Sequence, residues 1–440
     1  MNALFDVLTV LDDIYWSYVG FSIVILAGIF FTIKCKGFQF KVLMAPVRTM
    51  KELYESAQGQ EHGTNPFKLY FASIGGMIGL GNMVAVVAAQ LIGGPGALLW
   101  MWIAVFFGMI IKYSEIYLGV RYRVKNESGG FDGGPMYYLK AAFPKGYLGK
   151  LLPVLAAVFL CIYGVEIYQF VVIVDTITEV FEVERLVVVI VLLSATIYTG
   201  FGGVNRLANI CSVLMPVFMV MYIFMCMWVI IENAWQLPGI IFLVFKSAFT
   251  GMAPLGAFVG STMLLAAQQG ISRAVYSGDI GIGYDSTIQS ETRSNRPERQ
   301  ARIAVFGLLG DALFSTMTIL SVLVTGLVWN AEGLKASQYI ATALATVFPY
   351  VKFFMVLFFF FAGWTTIIGY VVVGTKCARF LAPKYGKTIY LVFATIMFLT
   401  FSYADQSHVY LIMSLSGGAL VVLNVIGLLK LRNQIKFGWH

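Results

Sequence analysis

The chain alternates between apolar blocks and short polar stretches. A helix rises about 1.5 Å per residue, so a block of about 20 residues crosses the roughly 30 Å hydrocarbon layer of a bilayer. Eleven blocks are legible, at 14–33, 66–91, 96–122, 151–180, 184–200, 207–231, 238–276, 300–329, 350–381, 387–404 and 407–430. The pattern predicts an all-α integral membrane protein with 11 transmembrane helices, forming one domain over 1–440. The seventh block holds Pro238, Gly251, Pro254, Gly256 and Gly260, which predicts two pieces. The first would end near Phe249 and a membrane helix would begin near Leu255. The stretch from Phe38 to Ser56 mixes apolar and basic residues, as an amphipathic helix lying along the interface does.

Composition sharpens this picture. Charged residues make up 12% of the chain, against about 25% in an average soluble domain, so a water-soluble protein is excluded. The net charge of +8 could suggest a nucleic-acid partner, but its distribution follows the spans. Of the 30 basic residues, 25, among them Lys34, Lys41, Arg121, Arg123, Arg206, Arg273, Arg293, Lys376 and Lys430, fall on one side, and only Arg185, Lys246, Lys335 and Lys352 on the other. The positive-inside rule then places the N-terminus outside and the C-terminus in the cytoplasm of a multi-pass cell (inner) membrane protein. Asp6, Asp12 and Asp13 precede the first block where a signal peptide would carry basic residues, so that block reads as a retained helix. Lys112 lies inside a span with Glu115 three residues on, which predicts a local ion pair. The five cysteines form no C-x-x-C pair and the three histidines are scattered. Neither a disulfide framework nor a zinc site is indicated, and no nucleophile–base pair suggests an enzyme.

The second block contains Ile74-Gly75-Gly76-Met77-Ile78-Gly79-Leu80-Gly81-Asn82. Each glycine costs a helix about 1 kcal/mol against alanine. Close helix packing also favours small residues, but these four are too clustered for one packing stripe. They predict an opened helix, which survives in a membrane only where it is buried or lines a cavity. Its two ends offer amides to an anion and carbonyls to a cation, and Asn82 adds a side-chain carbonyl. In the ninth block, Ala362-Gly363-Trp364-Thr365-Thr366 places two hydroxyls beside a carbonyl; alternatively both threonines bond back to their own helix. In the fourth block Glu166 and Gln169 share a helix face. An intramembrane carboxylate is costly and points to function. Glu166 is either protonated and bonded to a neighbour, or titrates in ion coupling, or pairs with a cationic substrate. Asp311, at the opening of the eighth block, and Asp279, in a Ser277–Gly283 stretch expected on the cytoplasmic side, are gating candidates. Anchoring of that stretch by Arg273 is the alternative for Asp279. Phe258, near Gly256 and Gly260, either lines a pocket or packs the core.

The run Gly93-Gly94-Pro95-Gly96-Ala97-Leu98-Leu99-Trp100-Met101-Trp102 resembles the signature of the alanine/glycine:cation symporters, the sodium:alanine symporter family. Arg121-Tyr122-Arg123 followed by Gly133-Gly134-Pro135-Met136-Tyr137-Tyr138 is also similar to that family, as is Ser277-Gly278-Asp279-Ile280-Gly281-Ile282-Gly283. The likeness runs from about Pro66 to Arg379. It implies a LeuT-type fold: an extra first helix (14–33) and two inverted five-helix repeats (66–231 and 238–430). It also implies sodium-driven uptake of a small neutral amino acid, alanine- or glycine-like.

By the same resemblance Gly79, Leu80, Gly81 and Asn82 receive the substrate carboxylate, with Leu80 where the family usually has threonine. Gln169 and Tyr370 would be further substrate contacts. A co-transported sodium ion would take the carbonyls of Gly75, Ile78 and Ala362 and the hydroxyls of Thr365 and Thr366. Glu166 stands where the family has asparagine, which opens a proton-coupled reading of the same fold. A channel or a non-transporting sensor is the reading from a different class; neither a filter motif nor a soluble output domain is apparent for either. The implied partners are the amino acid and the lipid bilayer, with no obligatory protein partner and no covalent cofactor.

Overall fold

The computed structural model describes residues 2–56, 62–126, 129–251, 262–330 and 333–439. Helix α1 (Leu4–Lys34) starts before the predicted position 14, because Leu4, Val7, Val10 and Leu11 extend the apolar face past the early acids. Two short helices, α2 (Phe38–Leu43) and α3 (Pro46–Ser56), replace the single interfacial helix expected over 38–56.

The glycine-rich block is broken as predicted. Helix α4 (Pro66–Met77) is started by the Asn65 side chain, which accepts from Phe67 N, and by Pro66 in its first turn. It stops at Ile78, whose backbone is extended, and α5 (Gly81–Gly93) resumes at an angle of 45°. The glycines are needed for close approach. A Cβ on Gly76 would sit 2.2 Å from the Tyr284 hydroxyl, and one on Gly79 would sit 2.4 Å from Thr366 Oγ1.

Helix α6 (Ala97–Arg121) follows, then a hairpin of β1 (Val124–Lys125) and β2 (Phe131–Asp132), and α7 (Pro135–Ala142). The fourth block is interrupted too: α8 (Leu148–Tyr163) and α9 (Ile167–Phe181) are joined through Glu166, which has left-handed backbone angles (φ 52°). Helices α10 (Arg185–Gly200) and α11 (Gly203–Glu232) lead to α12 (Ala234–Thr250).

The seventh block is in two pieces: α12 ends at Thr250, and α13 (Met263–Gly278) is capped by Thr262, while the expected start near Leu255 lies outside the described residues. Phe258 lies outside the described residues. The chain then breaks again and restarts as α14 (Tyr284–Gln289). Every residue from Ser277 to Gln289 is buried. The Ser277–Gly283 stretch is therefore an interior helix break, and the expectation of a cytoplasmic loop around Asp279 is corrected. Arg273 is corrected with it: it lies within α13, buried, with its guanidinium 3.9 Å above the Tyr410 ring.

Helices α15 (Pro297–Val324), α16 (Ala336–Ala345), α17 (Val351–Leu381), α18 (Gly386–Phe401) and α19 (Gln406–Lys430) complete the fold. Among the described residues seven helices are long and apolar enough to cross a membrane, and the bent pair α4–α5 makes an eighth. Helices α10, α12 and α18 are apolar but shorter. The fold is an all-helical, multi-pass membrane fold. On α11, Val213, Val217, Val220 and Phe224 are exposed, as a lipid-facing surface requires. The interrupted segments are inside: α4 packs on α11 and α17, α13 on α6 and α5, and α9 on α17.

Candidate functional site

The break at Ile78–Leu80 frees backbone amides, and side chains satisfy them. Gly79 N donates to Asn82 Oδ1 at 3.2 Å, and Leu80 N donates to Gln169 Oε1 at 2.9 Å. Both acceptors are neutral carbonyl oxygens at amides near the start of α5. Asn82 Nδ2 donates to Asp311 Oδ1 (2.6 Å) and Ser315 Oγ (2.9 Å), and Ser277 Oγ donates to Asp311 Oδ2 (3.1 Å). Asp311 lies midway along α15, not at its opening, and its carboxylate ties the first break to the end of α13.

On the other side of α4, Thr366 Oγ1 is 3.1 Å from Gly75 O and 3.0 Å from Ala362 O. Three of the five expected cation ligands converge there. Thr365 behaves differently. Its hydroxyl bonds back to Phe361 O (2.9 Å) and Ala362 O (3.0 Å) and lies near the Met215 sulfur. Ile78 occupies the extended turn at the end of α4. The donor set is all hard oxygen without a carboxylate, which fits a monovalent hard cation such as sodium.

The second break is organised by charge. Asp279, with φ 50°, accepts from Tyr284 N (3.2 Å) and Asp285 N (2.8 Å) and so starts α14. The Lys112 ammonium, from α6, lies 2.8 Å from Asp285 Oδ2 and 3.7 Å from Asp279 Oδ2, and donates to Gly278 O. It also touches the Met77 sulfur at the end of α4 (3.1 Å). Ser73 of α4 donates to Asp285. The expected Lys112–Glu115 pair does not form: Glu115 accepts from Gly281 N at 2.9 Å. A lysine and three carboxylates thus hold α4, α6 and the second break together. Sequence reasoning missed this cluster; the lone lysine in an apolar helix was its one signal.

The third break brings in Glu166. Its Oε2 accepts from the Tyr276 hydroxyl at 3.2 Å, and Gln169 Nε2 donates to the same hydroxyl oxygen at 3.4 Å. Tyr370 stacks on Tyr284 with ring centres 4.3 Å apart, packs on Tyr163 at 5.3 Å, and its hydroxyl reaches Asp279 at 3.4 Å. Gly75, Gly79–Asn82, Glu166, Gln169, Asp279, Asp311, Ala362, Thr366 and Tyr370 therefore share one buried, hydrogen-bonded centre. Phe258 is the predicted residue that lies outside the description.

A polar layer closes the end of the molecule where α4 begins. Thr64 N donates to Glu291 O (2.7 Å), Arg293 N to Thr64 O (3.0 Å), and Arg293 Nε to Gly63 O (2.9 Å). Arg123 donates to the carbonyls of Ser290, Thr292 and Ser294. Lys376 bonds Glu291 (2.7 Å) and Asp132 (3.0 Å). Burial opposes ionisation of Asp132, yet Lys376 and Arg379 hold its carboxyl below the usual range. A cavity of about 440 Å³ lies against this layer, with Thr64, Asn205, Glu291 and Lys376 in its wall.

Interrupted helices that meet at a buried polar centre, with amides capped by side-chain oxygens on one side and convergent carbonyls on the other, define a secondary transporter of the broken-helix kind. The model of the sodium:alanine symporter family matches residues 1–437, and the chain belongs to that family. It is 27% identical to the "Sodium/alanine symporter AgcS" of Methanococcus maripaludis over 96% of this chain and 94% of the relative. It is 26% identical to the "Probable sodium/glutamine symporter GlnT" of Bacillus subtilis over 99% of this chain and 90% of that one. Among solved structures, MhsT in complex with L-phenylalanine aligns with a TM-score of 0.57 at 16% identity. That alignment covers 83% of this chain and 90% of MhsT, a likeness of LeuT-type fold.

Proposed function

We propose that this protein is a sodium-coupled symporter that carries a small neutral amino acid, alanine- or glycine-like, into the cell. The observation that carries the reading is the pairing of Leu80 N with Gln169 Oε1 on one side of the broken helix and of Gly75 O with Thr366 Oγ1 on the other. A substrate carboxylate replaces the neutral oxygens of Gln169 and Asn82 at the amides of Leu80 and Gly79. The gain is a charge-assisted hydrogen bond in place of a neutral one. Sodium displaces the hydrogen bond of Thr366 to Gly75 O and Ala362 O: the hydroxyl turns its proton away and its oxygen joins those two carbonyls, with Ile78 O and the Thr365 hydroxyl as further ligands. Gly75 and Gly79 are one turn apart, so ordering the carbonyl side also orders the amide side. Each ligand thereby raises the affinity for the other. Rocking of the broken helices against the remaining bundle then exchanges access between the two faces.

The topology that goes with this reading has the N-terminus outside and the C-terminus in the cytoplasm. It has eleven spans arranged as α1 plus two inverted five-helix repeats, 66–231 and 238–430. Helices α10 and α18 count as short spans, and α13 with α14 as one broken span.

A second reading keeps the fold and uses a proton. Glu166, a buried carboxyl at a helix break and hydrogen-bonded to Tyr276, favours it. Uptake of labelled alanine and glycine into proteoliposomes, under an imposed sodium gradient or an imposed pH gradient, separates the two. Sodium-driven accumulation that survives Glu166→Gln supports the first reading. Accumulation that needs only the pH gradient and is lost in Glu166→Gln supports the second. A channel or a sensor would accumulate neither amino acid against its gradient.

A further inference from the structure

At the end of the bundle where α9 finishes and α19 begins, a cavity of about 490 Å³ is lined by Asp175, Arg185, Lys335, Tyr403, Asp405 and Gln406. Its charged set is two carboxylates and two cations, which is what a zwitterion requires. Two of the four are fixed in the wall. Asp175 accepts from Arg185 Nη1 (2.5 Å) and from Gln406 Nε2 (2.6 Å), and Arg185 Nε donates to Ser402 O (2.8 Å). The other two can exchange partners. Lys335 pairs with Glu179 through side chains that are 56% and 43% exposed, an ion pair of little strength. Asp405 is exposed and caps α19 through Ser407 N (2.8 Å). The Ser407 hydroxyl and amide hold its carboxyl below the usual range, so it stays anionic.

The cavity and the central site both draw on α9. Tyr168 lies two turns before Asp175 on the same face of α9, and Tyr410 lies one turn after Gln406 on α19. The Tyr168 and Tyr410 rings meet at 5.4 Å, and they pack on Tyr276 at 6.2 and 5.4 Å. The Tyr276 hydroxyl bonds Glu166 and Gln169, and Gln169 holds Leu80 N. Along α9 the step from Asp175 to Gln169 is about 9 Å. The chamber therefore lies beyond Gln169 along α9, while the three tyrosines cluster at the level of the central site.

We propose that this chamber is a second binding site, which receives a zwitterionic α-amino acid before it reaches the central site. The inference rests on the amino-acid transport reading above. Lys335 takes the carboxylate and Asp405 the ammonium, with Asp175 and Arg185 fixing the shape of the wall. The site captures and orients the substrate at the face expected to lie outside.

The test is uptake of labelled alanine and glycine into proteoliposomes by the full chain and by Lys335→Gln, Lys335→Arg and Asp405→Ser. The last change removes the charge and keeps a helix-capping side chain. Lys335→Gln and Asp405→Ser should each raise KM about fivefold, the size of one half-exposed charge contact, with less than about a twofold change in maximal rate. Lys335→Arg should restore the wild-type KM. If the wild type transports and KM is unchanged in both charge-removing variants, the outer site is overturned. It is also overturned if the variants lower only the maximal rate, which would mark a structural role. If the wild type moves neither amino acid, the transport reading fails, and the outer site fails with it.

Discussion

The side-chain oxygen of Gln169 accepts a hydrogen bond from the backbone amide of Leu80 at 2.9 Å. The two residues are 89 positions apart and come from different broken helices, so one helix interruption supplies the acceptor that the other lacks. Replacing Gln169 with leucine leaves a buried amide unpaired, at a cost of about 1–3 kcal/mol. A substrate carboxylate would satisfy that amide again. Gln169→Leu should therefore melt lower than wild type without amino acid and gain more from its addition. Thermal unfolding with and without saturating alanine measures this; an equal gain in both proteins would contradict the assignment of Leu80 N to the substrate.

The two threonines of α17 should not be equivalent. Thr366 reaches across to Gly75, whereas Thr365 is satisfied within its own helix. Thr366→Ala should raise the sodium concentration for half-maximal uptake about tenfold, the equivalent of ~1.4 kcal/mol. Thr365→Ala should raise it less. A sodium titration of alanine uptake decides, and equal shifts would place both hydroxyls on the ion.

Lys112 is buried between Asp279 and Asp285. Removing one member of a buried ion pair costs about 3–5 kcal/mol because the partner is left charged and unpaired. Lys112→Met should destabilise the protein by that order. Lys112→Met combined with Asp285→Asn should recover part of the loss, since the two are in direct contact. Thermal melts of the single and double variants test the coupling; additive losses would mean that the pair does not act as one unit.

The Asp132 carboxyl is held below the ordinary range once it meets Lys376 and Arg379. A carboxyl depressed in the folded state adds stability above its unfolded pKa of about 3.9, and that stability is lost as pH falls through the folded value. Asp132→Asn should therefore lower the melting temperature at pH 7. The gap to wild type should close as the pH drops below about 4. A gap that persists unchanged in acid would show that the loss is one of packing.

The first helix break was legible because its cause is local. Gly75, Gly76, Gly79 and Gly81 weaken one helix within a short run, whatever surrounds them. The split of the seventh block was legible for the same reason, from its prolines and glycines. The signature runs around Gly93–Trp102, Gly133–Tyr138 and Ser277–Gly283 likewise indicated the family on their own.

The second break was not legible as a break. Glycine and aspartate at Gly278–Gly283 read alike in a loop and in an interior interruption. What distinguishes them is burial, and burial comes from α4, α6 and α19 packing around them. Lys112 shows the same limit. The local rule paired it with Glu115, three residues away. In the fold its ammonium meets Asp285 and Asp279, more than 160 positions later, because the side chains of α6 face the broken helix.

Taken alone, the order of residues established a helical membrane protein, its family, and the place where one helix must open, since each follows from hydrophobicity or backbone freedom within a single segment. Only the folded chain decided which oxygen faces which amide. It also decided that Asp279 is interior, and that Asp175, Arg185, Lys335 and Asp405 line one chamber. Such contacts join residues far apart in the chain, and their strength depends on exclusion of water, which no segment achieves by itself.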